Sequence, residues 1–238
     1  DVQDDQNGSA EVTVTVSDAQ GRALDSETFE LVVTPVNDIP ELSAIGDQFT
    51  DEDEDLSIDL SSYDVDIETN GQELTYSAQS SDESLVIVSV ESGDGTGSGS
   101  LTFDVQDDRN GEAQVYVSVT DGEGGTVSET FTLVVNEVND EPILSDIGDQ
   151  STDEDIDFDI ELSASDVDID ENGQSLTFDA LSSDESLVIV SIESDDGTGS
   201  GSLVFDVQDD QNGSAEVTVT VSDAQGRALD SETFELVV

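Results

Sequence analysis

Cysteine, histidine, methionine and tryptophan are absent, and the only basic side chains are three arginines. Without Cys and His there are no disulfides, thiol nucleophiles, imidazole bases, or zinc and copper sites, and no serine triad can be assembled. Without Lys there is no lysine to asparagine isopeptide staple. Against those arginines stand 61 acidic residues, giving a formal net charge of -58. Such a chain repels phosphate backbones and anionic surfaces, which excludes nucleic acid as a partner. No apolar run approaches the ~18 residues needed to span a bilayer, and no signal peptide is recognisable at the N-terminus. The sequence reads as a soluble piece of a longer chain that does not insert into a membrane.

High acidity with low hydrophobicity ordinarily means disorder. Here the 34% apolar content sits in short alternating runs, which indicates strands. Leu56, Ile58 and Leu60 alternate with Ser57 and Asp59, and Val115, Val117 and Val119 alternate with Tyr116 and Ser118.

Self-comparison orders the chain. Residues 36–125 align without a gap onto 138–227, and both carry "SSDESLVIVS" and "DGTGSGSL". Residues 1–33 are identical to 206–238. The expected organisation is therefore the C-terminal part of an incomplete repeat (1–35), a complete repeat (36–135) and a second complete repeat (138–238). Copies this similar share one task, which argues against a multi-step catalyst. Residues 1–33 hold too few strands for a core, so their completing strands are expected upstream or from another copy.

Within the first whole repeat, strands are expected near 42–50, 56–61, 73–78, 85–90, 100–105, 112–120 and 126–135. Turn signals separate them: "ETNG", "SGDGTGSGS", "RNG" and "DGEGG". About seven short strands per ~100 residues predict an all-β fold of tandem seven-stranded, immunoglobulin-like antiparallel β-sandwiches in an extended array. The expected core is Phe103, Tyr76, Phe131, Leu85 and Ile87, with Phe205, Phe178, Phe234, Leu187 and Ile189 in the second copy.

If the strands are lettered A to G, up-and-down tracing gathers the acids at the joints. At the joint between the whole repeats the first contributes Asp51, Glu52 and Asp53 from its AB loop and Asp104, Asp107 and Asp108 from its EF loop. The linker "NEVNDEP" contributes Asn139 and Asp140, and the second repeat contributes Asp166, Asp168 and Asp223. At the preceding joint the corresponding residues are Asp4 and Asp5, then Asn37 and Asp38 of "TPVNDIP", then Asp64, Asp66 and Asp121. Carboxylates this dense need a cation. Oxygen-only donors at high coordination number favour Ca2+ over Mg2+. An EF-hand reading of "DVDIETNG" fails for want of Gly at its sixth position and Glu at its twelfth.

The linkers, the D-x-D motifs and the run "NGEAQVYVSVTDGEGGTVSETFTLVV" resemble the cadherin repeat. They also resemble the cadherin-like and immunoglobulin-like tandem repeats of giant bacterial surface adhesins exported by type I secretion (RTX adhesins). The EF loop "QDDRNG" departs from the Asp-Arg-Glu form of cadherins. The resemblance implies a non-catalytic, calcium-dependent extender on the bacterial cell surface. Such an extender is a monomeric rod whose partners are its own neighbouring repeats, projecting a distal binding domain that lies outside this stretch. The alternative is that the repeats themselves bind carbohydrate or protein, for which Tyr63 and Tyr116 are the candidate exposed aromatics. Acid runs also serve as solvated faces, and that reading suits Asp59, Glu112 and Glu161.

Overall fold

A computed structural model describes residues 2–67, 71–169, 173–223 and 229–238. The chain forms two compact units, Asp1–Asn136 and Glu137–Val238. Part of the turn expected at "ETNG" (residues 68–70) and of its second-repeat counterpart (170–172) lies outside the described residues.

In the first unit, β1 (Gly8–Ser17) and β2 (Ala23–Val33) form an antiparallel hairpin on their own. Eight strands follow. These are β3 (Glu41–Leu42), β4 (Gln48–Asp51), β5 (Leu56–Tyr63), β6 (Thr75–Ser80), β7 (Val86–Ser92), β8 (Ser98–Val105), β9 (Gly111–Thr120) and β10 (Thr126–Asn136). They make two four-stranded sheets, ordered β3-β5-β8-β7 and β4-β10-β9-β6. All pairings are antiparallel except β4 with β10. The second unit repeats this plan with β11 (Ile143–Leu144), β12 (Gln150–Ser151), β13 (Phe158–Ser165), β14 (Leu176–Ser182), β15 (Val188–Asp195), β16 (Ser200–Val207), β17 (Ser214–Asp223) and β18 (Leu229–Val237). Its sheets are β11-β13-β16-β15 and β12-β18-β17-β14. The all-β tandem sandwich read from the sequence is the fold observed.

The expected first strand, 42–50, is divided. Its start pairs with β5 in one sheet and its end runs parallel to β10 in the other. The crossing passes through Gly46, whose φ is 69°, a value that favours glycine. The amides freed from both ladders find a side chain: Glu129 accepts from Ile45 N at 3.0 Å, and Glu232 accepts from Ile147 N at 2.8 Å. Buried or half-buried backbone donors need such partners, so the crossing is fixed rather than loose.

Between the sheets, Phe103, Leu101, Val115, Val117 and Val119 are fully buried, with Phe131 edge-on to Phe103 at 6.3 Å. The second core matches it, and Phe158 stacks on Phe205 at 4.3 Å. Ile87 and Ile189 do not belong to these cores, being 45% and 43% exposed. Strand alternation sends Val86 and Val188 inward instead, and two adjacent residues cannot share one face. A compensated exchange links the two cores. Tyr76 Oη donates to Gly97 O at 2.7 Å and accepts from Ser62 Oγ at 2.8 Å. In the second repeat Phe178 and Ala164 stand at these places, so the hydroxyl donor and its hydroxyl partner are missing together and no buried polar group is orphaned.

Gly97 sits at φ 109° with its backbone against Ser62, where an added Cβ would collide with the Ser62 carbonyl oxygen. Gly97→Ala is expected to destabilise the first repeat by more than ~1 kcal/mol, since it combines a strained φ with a backbone clash. Urea denaturation checks this.

Candidate functional site

The acids at the N-terminal end of each whole repeat are held by their own backbone geometry. In the first unit the chain leaves β5 into "DVD", where Asp64 Oδ1 accepts from the Asp66 amide at 2.8 Å. This tight turn places both carboxyls on the inner side of the loop, and Asp64 and Asp66 are 2% and 3% exposed. Asp66 Oδ2 in turn accepts from the linker amide of Asp38 at 2.8 Å. Asp121, at the end of β9, is buried and uses Oδ1 to accept from the amides of Glu123 and Gly125, both at 2.8 Å. Its Oδ2 accepts from the Asn37 carboxamide at 3.0 Å. One carboxylate oxygen in this group, Asp64 Oδ2, is buried and makes no hydrogen bond.

Burial pushes the Asp64 carboxyl above the usual carboxylate range. The negative charges of Asp66, Asp121 and Asp38 add to the rise, and the Asp66 amide opposes it. Asp121 is also subject to burial, but the hydrogen bonds from Asn37 and from its turn amides outweigh it and hold the carboxyl low. Asp5, in the turn before β1, joins the group from the hairpin side. Asp5, Asp38 and Asp66 line a depression of about 250 Å³, and Asp5, Asp38 and Asp64 line a second of about 180 Å³. Asp4 occupies the same turn and is exposed.

The second unit repeats the arrangement in its own residues. Asp166 Oδ1 accepts from the Asp168 amide at 2.9 Å, and Asp168 Oδ2 accepts from the Asp140 amide at 2.8 Å. Asn139 donates to Asp223 Oδ2 at 2.8 Å. Asp166 Oδ2 is again buried without a hydrogen bond. Burial raises the Asp166 carboxyl, and the charges of Asp168 and Asp223 reinforce the effect against the Asp168 amide.

At the opposite end of the first whole repeat the AB and EF loops meet. Asp53 and Asp108 both adopt left-handed backbone, with φ of 64° and 55°, and the Asp108 amide donates to Asp53 Oδ1 at 2.9 Å. Glu52 is 2% exposed and accepts from Asn110 at 3.3 Å. Asp51 is exposed and accepts from Asn136 at 3.0 Å. Asp107 is exposed in the EF turn, and Asp104 points outward from β8, so of the EF-loop acids only Asp108 is bonded to the AB loop.

The sequence reading missed two residues here. Gln72 donates to Asn37 Oδ1 at 2.6 Å, and Gln174 donates to Asn139 Oδ1 at 2.8 Å. The signal was the glutamine that follows Asn-Gly in both copies, directly after the stretch read as a turn. Asp94 and Asp196 are engaged in their own turns, accepting from the amides of Thr96 and Thr198.

The bacterial Ig domain family matches residues 37–134 and again 139–236. The chain belongs to that family. Its bacterial Ig repeats share their fold with cadherin ectodomains. They superpose on PcdhgB3 EC1-4 with a TM-score of 0.58 at 15% identity, covering 99% of this chain and 58% of that one. Protocadherin Gamma B7 extracellular cadherin domains 1-4 give 0.52 at 18% identity, with 100% and 59% covered. The Protocadherin GammaB4 extracellular domain gives 0.50 at 19% identity, with 100% and 39% covered. The chain thus spans about two-fifths to three-fifths of these structures. No curated protein matches it in sequence. Tandem bacterial Ig repeats point to an extracellular module of adhesion or spacer type, and repeats of this fold are typically non-enzymatic. Among the described residues no helix is long and apolar enough to cross a membrane.

Proposed function

We propose that these repeats are calcium-stabilised spacers of a large bacterial surface adhesin, in which Ca2+ at the joints orders the linkers and holds a distal binding domain away from the cell. The observation that carries this reading is Asp64 Oδ2. It is a buried carboxylate oxygen with no hydrogen bond, and the charges acting on it are themselves negative. A buried charge left uncompensated is costly. The copy in the second unit, Asp166 Oδ2, has the same deficit. A hard divalent cation supplies what these oxygens lack, and an all-oxygen donor set suits Ca2+. Asp64, Asp66, Asp38 and Asp5 would hold the ion at the first joint. In the second unit the corresponding residues Asp166, Asp168 and Asp140 would hold an ion in the same way.

The binding-module alternative needs an aromatic platform. Phe49, Tyr63 and Tyr116 are exposed, but Tyr63 lies in β5 of one sheet and the other two lie in β4 and β9 of the opposite sheet. Residues on opposing sheets do not form one stacking surface.

Small-angle scattering of the whole chain tests the spacer reading. Calcium at 10 mM is expected to narrow the distribution of shapes and raise the maximum dimension relative to EDTA. Identical curves in the two conditions would refute the stiffening role.

A further inference from the structure

The linker asparagines stand where a metal-binding joint would be expected to use their side-chain oxygens. Their hydrogen bonds say otherwise. An ionised carboxylate only accepts, so the group that Asn37 presents to Asp121 Oδ2 at 3.0 Å must be its NH2. That fixes the flip of the carboxamide and turns Oδ1 toward Gln72, which must then donate through Nε2, at 2.6 Å. The second unit has the same chain of donors, Gln174 to Asn139 at 2.8 Å and Asn139 to Asp223 at 2.8 Å. In both copies the far oxygen of the glutamine, Oε1, is buried and makes no hydrogen bond, so the donor side alone sets how the carboxamide sits.

We propose that Gln72–Asn37–Asp121 and Gln174–Asn139–Asp223 are locking relays. The asparagine is a clip that ties the linker to the end of β9 or β17, and the glutamine is the positioning residue that keeps the clip in its flip. Neither asparagine oxygen is a calcium ligand. The relay orients Asp121 and Asp223: Asp121 gives Oδ1 to its own turn and Oδ2 to the clip, and Asp223 gives Oδ2 to the clip. The linker's contribution to an ion is then confined to the aspartate that follows, Asp38 or Asp140, whose amide is itself fixed by Asp66 or Asp168.

The relay consists of hydrogen bonds between protein side chains alone, so it is tested apart from the calcium reading on which its effect on affinity rests. In EDTA, Asn37→Asp sets a second carboxylate against Asp121 and deletes the NH2 donor. It is expected to lower the melting temperature of the first repeat by about 5–15 °C. With calcium, the same variant is expected to bind about tenfold more weakly, whereas a ligand asparagine replaced by a carboxylate would bind more tightly. A milder variant covers the case of misfolding. Gln72→Ala should abolish the slow exchange of the Asn37 side-chain NH2 protons in NMR spectra recorded in EDTA while leaving the β9 and β10 amides protected. An unchanged melting temperature for Asn37→Asp in EDTA, tighter calcium binding by that variant, or undiminished Asn37 protection in Gln72→Ala would each overturn the relay.

Discussion

Asp64→Asn is expected to change sign with calcium: it stabilises the metal-free chain, or leaves it unaltered, and destabilises the calcium-loaded one. The carboxyl of Asp64 is held above its usual value by burial, then by Asp66, Asp121 and Asp38. A group whose folded pKa exceeds its unfolded value of ~3.9 adds stability at lower pH, and that contribution is lost as pH rises through the folded value. At neutral pH without metal the charged form is therefore a burden, and an uncharged carboxamide relieves it. A bound cation reverses the balance, because it needs the charged form. With extracellular-type Kd values of ~10⁻⁴–10⁻³ M, calcium at 10 mM contributes about 1.4–2.7 kcal/mol per ion. That is roughly 6–20 °C in the melting temperature of a domain this size. The variant should forfeit the shift at its own joint. The pH profiles follow the same logic: in EDTA the Asp64 and Asp166 contributions favour the fold as pH falls toward the carboxylate range, while the calcium increment disappears over the same interval. Scanning calorimetry in EDTA and in calcium, at pH 4.5 and 7.5, measures both. A variant equally destabilised in all four conditions would show that Asp64 serves packing alone.

The second large effect comes from one residue in two settings. Residues 1–33 and 206–238 are identical, and the two hairpins keep the same register as far as Val16 and Val221, with Val12 opposite Phe29 and Val217 opposite Phe234. In the second repeat Phe234 is 4% exposed and edge-on to Phe205 at 6.3 Å, whereas Phe29 is 49% exposed. Phe234→Ala is expected to cost ~3–5 kcal/mol, a large part of the stability of one domain. Phe29→Ala is expected to stay within ~0.5 kcal/mol. Urea unfolding of the two variants checks the contrast. Comparable losses would mean that the β1–β2 hairpin is buried in solution.

Much of the fold was legible because apolar alternation of period two is a direct image of a half-buried strand. Val115, Val117 and Val119 gave β9 within one residue of its observed start. The division of the first strand was not legible, because nothing local marks which sheet a short edge strand joins. The deciding contact, Glu129 to the Ile45 amide, spans most of the repeat. Ile87 was misplaced because "LVIVSV" is apolar at adjacent positions, and only the pairing of Val88 with Phe103 settles the phase. The acids were legible as loop clusters, since the tracing brings Asp38, Asp64, Asp66 and Asp121 to one end. Their roles were not. Asp104 and Asp108 lie four residues apart in one motif, yet one faces outward and the other bonds to Asp53. Gln72 carries no charge and follows directly on a turn signature, so only its partner reveals its part.

The spacer reading stands on specific binding of calcium by the buried, uncompensated carboxylates of each repeat. Equilibrium dialysis of the whole chain against calcium, with magnesium and sodium at matched ionic strength, tests it most directly. Saturable calcium binding is expected, with at least one ion per whole repeat, a Kd of ~10⁻⁴–10⁻³ M, and loss of part of that stoichiometry in a chain carrying Asp64→Asn with Asp66→Asn. Calcium uptake no greater than that of magnesium, unsaturable and unaffected by those substitutions, would show that the acids form only a diffuse anionic surface.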